Sequence, residues 1–146
     1  MVAFEGELRK APRLRGGCMC GAVTYEVADN FLYAINCHCS KCRRTTGSAF
    51  KPIAGVAVED FEVTAGTDNL FRHGDPDGIH DMHCRTCGSL VYSWIAERGT
   101  VKVHLPMGTL IDVPSIRPAM HIFVGSKAPW YEITDDLPQY EGFPTE

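Results

Sequence analysis

The sequence predicts a mainly β protein with little helix. Short segments of alternating or β-branched residues recur along the 146-residue chain, and fourteen Gly and nine Pro punctuate it throughout. No internal repeat or linker-like block separates these segments, so we expect one domain over residues 1–146. The predicted strands lie at residues 22–27, 52–58, 61–64, 89–94, 101–105 and 119–124.

Helix is a minor component of this prediction. Residues 40–46 form the better candidate, because Ser40 can cap the first turn. A weaker helix candidate lies at residues 112–116. The tail, residues 130–146, carries prolines among acidic and aromatic residues, so we expect an irregular extended strap there. The side chains expected to pack this strap are Trp130, Tyr131 and Tyr140.

Composition and charge narrow the classes of function. The chain has a net charge of −4 and therefore lacks the global basic field of a nucleic-acid binder, which argues against such a partner. No apolar run approaches the roughly 20 residues of a membrane helix, and the opening residues lack the apolar region of a secretory signal. We therefore expect a cytoplasmic protein with no membrane partner.

The seven cysteines divide by spacing into two short-spaced pairs and one trio. Cytosolic thiols are kept reduced, so metal binding or catalysis explains them better than structural disulfides do. Four cysteines form the two pairs and three form the trio, which leaves none over. The pairs are Cys18 with Cys20 and Cys84 with Cys87, and the trio is Cys37, Cys39 and Cys42.

The two pairs predict a closed, structural zinc site. Gly21 and Gly88 directly follow the pairs, where the chain must bend to expose both sulfurs. Four thiolates complete a tetrahedral zinc shell at about 2.3 Å and leave no position for substrate or water. Because the pairs are distant in sequence, we expect folding and metal binding to be coupled. The alternative is four buried thiols that act as small hydrophobic residues.

The trio predicts a second metal site with an open position. Three sulfurs can hold one ion but supply no fourth protein ligand, which is typical of catalytic zinc. Zinc would deprotonate a thiol that binds it, so a thiol substrate suits the site. Basic residues can offset the negative charge of a three-thiolate zinc shell and also face an anionic ligand. These residues are Lys41, Arg43, Arg44 and Lys51.

Three alternatives stay open for the trio. Cys39 and Cys42 could form a redox pair, although the thioredoxin-type βαβ setting is missing. The trio could bind metal weakly, because a three-ligand shell loses its ion more readily than a four-ligand shell. A histidine could also complete the tetrahedron and close the site. The candidates for that ligand are His38, His73, His80, His83 and His121.

Four motifs carry a resemblance to a known family. They are GGCMCGAVTYEV (16–27), NCHCSKCRRTTGSAF (36–50), HCRTCGSLVYSW (83–94) and HIFVGSKAPWYEI (121–133). In this order they resemble the glutathione-dependent formaldehyde-activating enzymes, also called the centromere protein V family. The resemblance implies an Mss4-like fold of several small coiled antiparallel β-sheets. It also implies a structural zinc at Cys18, Cys20, Cys84 and Cys87, and a second, labile zinc at Cys37, Cys39 and Cys42.

The activity that the resemblance implies is carbon–sulfur bond formation. The thiol of glutathione adds to formaldehyde and gives S-(hydroxymethyl)glutathione, with Lys41, Arg43 and Arg44 as candidate contacts for the glutathione carboxylates. His38 is the one candidate general base near the trio. A second class of function is a non-catalytic zinc module that binds a protein or nucleic acid. A third, methionine sulfoxide reduction, needs redox cysteines beyond the metal ligands, and the cysteine count leaves none.

Overall fold

The computed structural model describes residues 11–144 and confirms the mainly β prediction. Within this range, ten strands, one α-helix and four short 3₁₀ turns form the regular structure. No helix in this part of the chain is both long enough and apolar enough to cross a membrane. The first ten residues of the expected domain and the last two of its tail lie outside the described range.

The elements follow one another in chain order. The strands are β1 (Arg13–Gly17), β2 (Thr24–Ala28), β3 (Tyr33–Cys37), β4 (Lys51–Ala57), β5 (Phe61–Ala65), β6 (Leu70–Gly74), β7 (His80–Cys84), β8 (Leu90–Glu97), β9 (Thr100–Pro106) and β10 (His121–Ile122). The helix α1 is Ser40–Thr46 and lies between β3 and β4. The 3₁₀ turns are Val58–Asp60, Thr67–Asn69, Met107–Thr109 and Val124–Ser126.

Two sheets build the fold. The smaller sheet has the strand order β1-β2-β5, and the larger has the order β10-β3-β4-β9-β8-β7-β6. Neighbouring strands pair antiparallel, except that β10 pairs parallel with β3. Because β10 lies beside β3, the strand that ends at Cys37 gains a hydrogen-bonded neighbour on each side.

The main hydrophobic core lies between the two sheets. Tyr25 of the small sheet packs in one buried cluster with Val56 and Val103 of the large sheet. Successive side chains of a strand point to opposite faces, so the residues between these core positions reach the other face of the large sheet. There Ile53 and His104 line a cavity. The large sheet therefore uses one face for stability and the other for a site.

Each of the six predicted strand segments overlaps an observed strand; these strands are β2, β4, β5, β8, β9 and β10. The other four strands were not predicted. Strands β6 and β7 read LFRHG and HDMHC, in which charged and imidazole side chains replace the β-branched residues typical of strands. Strands β1 and β3 were also missed. These strands form because their neighbours in the sheet pair with them, which local sequence does not encode.

Helix α1 has the predicted bounds, but its cap is Cys39 rather than Ser40. The Cys39 backbone is extended, and its sulfur accepts a hydrogen bond from the Cys42 N–H at 3.3 Å. Gly47 ends the helix with a φ of 63° and donates its N–H to the Arg43 carbonyl. One of the three trio sulfurs therefore also fixes the start of the helix.

The helix predicted at residues 112–116 is wrong. The Asp112 carboxylate accepts hydrogen bonds from the backbone N–H and guanidinium of Arg15 at 2.8, 3.0 and 2.9 Å. Pro114 disfavours helical backbone at the residue before it. The Ser115 N–H and hydroxyl donate to Asp29. These side-chain bonds hold the segment in irregular structure beside β1.

The described part of the tail is an extended strap, as expected. The His121 N–H donates to the Pro138 carbonyl, and the Tyr140 N–H donates to the His121 carbonyl, both at 2.9 Å. Tyr131 packs on an aromatic ring and Tyr140 packs on a small apolar cluster. The packing role predicted for Trp130 is wrong, because this residue lies in a turn and is 72% exposed.

Gly55, in β4, leaves room for the Tyr33 side chain to lie across the sheet. A Cβ added at Gly55 would lie 2.5 Å from the Tyr33 ring. We expect Gly55→Ala to lower the free energy of unfolding by about 1–3 kcal/mol, because the ring must shift. Gly108→Ala is the control, since its Cβ would meet nothing within 4 Å. Denaturant unfolding compares the two variants, and equal stabilities would contradict this packing.

Candidate metal centres

Cys18, Cys20, Cys84 and Cys87 converge at one point of the structure. The first pair follows β1, and the second spans the end of β7 and the turn before β8. All four sulfurs lie within 4.8 Å of one another. The turns of the two pairs contain Gly21 and Gly88, with φ values of 83° and 82° that favour glycine. The group can hold a metal ion.

The sulfur separations match those of a tetrahedral metal site. Cys18 Sγ lies 3.7 Å from Cys20 Sγ, which lies 3.8 Å from Cys84 Sγ. Four sulfurs at about 2.3 Å from a zinc ion are separated by about 3.8 Å in a regular tetrahedron. These two separations, with all four sulfurs within 4.8 Å of one another, are compatible with one tetrahedral metal ion at their centre.

Hydrogen-bond donors surround these sulfurs. The Val23 N–H donates to Cys18 Sγ at 3.3 Å, and the Asn69 side-chain amide donates to Cys84 Sγ at 3.4 Å. The Ser89 hydroxyl and N–H, together with the Cys20 N–H, lower the pKa of the Cys87 thiol to about 5. Such donors favour thiolates, the form that binds zinc.

Cys37, Cys39 and Cys42 form a second group with sulfurs within 4.8 Å of one another. Cys37 ends β3, Cys39 caps α1 and Cys42 lies in its first turn. Among residues 11–144, no fourth Cys, His, Asp or Glu atom joins the group. All three residues line the cavity on the outer face of the large sheet. The open side of the group faces space that a ligand can enter.

Cys37 and Cys42 shift each other's pKa in opposite directions. Interaction with the Cys42 thiol lowers the pKa of Cys37, because it favours the Cys37 thiolate. The same interaction, together with burial, raises the pKa of Cys42. A divalent cation between the sulfurs would replace the thiol protons and stabilise both thiolates.

Four of the five histidines considered as a fourth ligand form hydrogen bonds elsewhere. His38 Nε2 lies 2.8 Å from His121 Nδ1, and His121 Nε2 lies 3.0 Å from an Asp135 oxygen. The ring nitrogen Nδ1 of His80 bonds to the Asp75 carbonyl, and that of His83 bonds to the Gly88 carbonyl. His73 joins neither cysteine group.

Burial, followed by nearby charges, lowers the pKa of His38 to about 4. His38 is buried and does not line the cavity, which leaves it poorly placed as a general base.

The cavity has a volume of about 600 Å³, within the range of small-molecule sites. Its wall near the trio is apolar and includes Ile35, Ile53 and Ile122. Farther along the sheet, a row of residues in register crosses five strands. The row is Tyr33, Gly55, His104, Ser93 and Asp81. All of these residues except Gly55 line the cavity.

Hydrogen bonds fix the polar groups of this row. The Tyr33 hydroxyl lies 2.6 Å from His104 Nε2, and the Ser93 hydroxyl donates to Asp81 at 2.5 Å. Burial, followed by the charges of Lys102 and Lys51, lowers the pKa of His104 to about 4, so its ring is neutral near neutral pH. Tyr33 lies four residues before Cys37, which places the row about 13 Å from the trio along β3.

A family model named glutathione-dependent formaldehyde-activating enzyme matches residues 13–126, a range that contains both cysteine groups. The chain belongs to this family. A Halomonas elongata protein named "Putative glutathione-dependent formaldehyde-activating enzyme" is 28% identical over 151 residues, covering 91% of this chain and 90% of that protein. An Aspergillus terreus protein of the same name is 28% identical over 137 residues, covering 90% of this chain and 62% of that protein.

A solved structure supports the fold. The crystal structure of a Rhodobacter sphaeroides protein aligns with a TM-score of 0.56 and 27% identity. The alignment covers 70% of this chain and 92% of that protein. The family resemblance suggested by the cysteine motifs is thus confirmed at the level of sequence family and fold.

The basic residues near the trio have different positions relative to the cavity. Lys41 lines the cavity with Cys42 and Thr45. Arg43 and Arg44 do not, because successive residues of a helix point about 100° apart. Arg43 Nε donates instead to the Ser126 carbonyl at 3.1 Å. Glutathione contacts at these three residues stay a prediction, with Lys41 the best positioned.

Sequence analysis missed the polar residues at the far end of the cavity. Lys102 and His104 alternate with buried Val103 and Leu105 in β9. This alternation was visible as a strand signal, but it did not reveal that Tyr33 and His104 share a hydrogen bond. Their contact depends on the register of β3, β4 and β9, which the local pattern does not specify.

A Cys→Ser substitution should change the melting temperature of the zinc-loaded protein by different amounts in the two cysteine groups. Cys84 is 1% exposed and joins distant turns, so Cys84→Ser should lower the melting temperature by about 10 °C or more. Cys39→Ser is the matched control and should change it little, because serine can also cap α1. Calorimetry measures both transitions. An unchanged melting temperature for Cys84→Ser would contradict a stabilising metal at this group.

His104 should make the stability depend on pH. Its folded-state pKa of about 4 lies below the usual value, so the unfolded chain binds more protons between about pH 4 and 6.5. The free energy of unfolding therefore falls as the pH decreases through this window. Denaturant unfolding of His104→Gln should show a shallower decline than wild type. Parallel stability curves for the two proteins would contradict a buried neutral His104.

Proposed function

We propose that this protein is a zinc-dependent carbon–sulfur lyase. It adds the thiol of glutathione to formaldehyde, or to a related electrophile, and forms S-(hydroxymethyl)glutathione. The observation that supports this best is the trio: Cys37, Cys39 and Cys42 converge on one point, lack a fourth ligand among the described residues and line a cavity. Membership in a glutathione-dependent family agrees with a thiol substrate.

Two zinc ions fit the two groups of cysteines. The four-cysteine group would hold a structural zinc, since its sulfur spacing and surrounding donors suit a closed tetrahedral shell. The trio would hold the second, labile zinc. When bound there, zinc would supply a positive charge that keeps a nearby substrate sulfur as thiolate.

The residues of the cavity would bind and orient glutathione. Lys41 and Lys102 carry charges that can pair with its carboxylates, and Asp81 can accept a hydrogen bond from its ammonium group. The apolar wall beside the trio limits the access of water to the reacting sulfur. Glutathione would thus lie along the sheet, with its sulfur at the trio and polar groups extending toward the row of Tyr33 and Asp81.

A reducing compartment suits this chemistry. All seven cysteines are free in the structure, and the proposed reaction requires thiolates rather than disulfides. We infer a cytoplasmic location and a small thiol as the partner. A non-catalytic binding module would leave the cavity and its cysteine lining without a role, so the lyase is the better-supported function.

Cys39→Ser tests the proposed function. The variant should keep the fold, lose the labile zinc and bind glutathione at least about tenfold more weakly, because one of three ligands is gone. Titration calorimetry measures glutathione binding, and product formation is measured above the uncatalysed rate. Glutathione binding with native affinity in this variant would refute the open-site proposal.

Zinc release provides a second check on the two sites. Mild chelation should remove one zinc per chain from wild type and leave the other, because the four-ligand shell holds its ion more tightly. Metal analysis before and after chelation measures both fractions. Two zinc ions that leave together would contradict the division into a structural and a labile site.

A further inference from the structure

Lys51 is a mostly buried lysine with no carboxylate partner among the described residues. The residue is only 8% exposed and lines the cavity. Lysine is rarely buried unless a carboxylate or another acceptor pairs with it. Within residues 11–144, no carboxylate lies within ion-pair distance of its ammonium group. Its ammonium group is therefore available to an anionic group that enters the cavity.

The sheet register places Lys51 beside the cysteine trio. Lys51 begins β4 and is the direct partner of Cys37 on β3. Residues paired in this way have Cα atoms about 4.5–5.5 Å apart. By contrast, Lys102 pairs with Ala57, six residues farther along β4. Lys51 is therefore the lysine of the sheet nearest to the reacting centre.

The lining of the cavity agrees with this position. Lys51 lines the cavity together with Cys37 and Cys42 of the trio and with His104 of the polar row. The Lys51 side chain therefore faces the same space as the trio and the polar row.

We propose that Lys51 is a catalytic residue that binds the oxygen of the electrophile during addition. This role rests on the proposed lyase function. The glutathione thiolate forms a bond to the carbonyl carbon, and the electron pair of the C=O π bond moves to oxygen. Lys51 donates a hydrogen bond to this developing alkoxide and stabilises its charge. Water then protonates the alkoxide, which balances the proton that the thiol released to water.

Distance favours this oxygen over a carboxylate of glutathione as the partner of Lys51. In the adduct, the oxygen is separated from sulfur by a single carbon, so it stays within about 3 Å of the sulfur position. The carboxylates of glutathione are separated from sulfur by five or more atoms and can reach Lys41 or Lys102 instead. A fixed cation beside the trio therefore faces the atom on which charge develops.

The test compares binding with turnover in Lys51→Met, Lys51→Arg and Lys41→Met. Methionine keeps the apolar length of the side chain, and zinc content and melting temperature monitor folding. We expect Lys51→Met to lower kcat about 100-fold while the Kd for glutathione changes less than about twofold. Lys51→Arg should recover part of the lost turnover because it restores the charge. Lys41→Met should instead raise the Kd for glutathione by a larger factor than it lowers kcat.

Two outcomes would overturn the role of Lys51. Native turnover in Lys51→Met would exclude it from the reaction. A loss of glutathione affinity of about tenfold with native kcat would make Lys51 a carboxylate contact instead. Wild-type protein that fails to accelerate product formation would refute the lyase function itself, and the Lys51 role would fall with it. The wild-type rate therefore separates the two failures.

Discussion

The convergence of four sulfurs from distant turns is the constraint on which the rest of the structure depends. The turn after β1 belongs to the small sheet, and the turn after β7 belongs to the large sheet. No strand ladder joins these two sheets in the described part of the chain. Side-chain packing around Tyr25 and the sulfur group together hold them in place. A metal ion in this group would join the turns of the two sheets by coordination bonds.

The same fold places three other sulfurs where they can react. Because the small sheet covers one face of the large sheet, the other face is free to line a cavity. Strand β3 ends at Cys37 on that face, and α1 returns Cys39 and Cys42 to the same point. The difference between the two groups is one ligand. In the proposed function, the closed group would give stability and the open group would give a position for an incoming sulfur.

The features set by short-range spacing could be predicted from the sequence. The division of cysteines into four and three, the bounds of α1 and six strand segments depend on neighbouring residues. The features set by strand register could not be predicted. Tyr33 meets His104 only because β4 separates their strands and carries Gly55 between them. The basic residues of α1 show the same limit, since adjacency to Cys42 did not reveal that Arg43 turns away from the cavity.

The positions of the charged residues connect the features set by short-range spacing with those set by strand register. Lys51 gains its significance from β3–β4 pairing, which puts this mostly buried lysine opposite Cys37. The row from Tyr33 to Asp81 then gives the far end of the cavity polar groups of both kinds, donors and acceptors. A ligand with a sulfur at one end and charged groups at the other complements this arrangement.

Cadmium-113 NMR of the cadmium-substituted protein tests the central claim most directly, because it reports the two metal sites separately. We expect two resonances, of which one keeps its position when glutathione is added. The other should move toward the first, since a fourth sulfur would enter the shell formed by Cys37, Cys39 and Cys42. Two resonances whose positions do not change when glutathione is added, or a single resonance from one kind of site, would contradict the account.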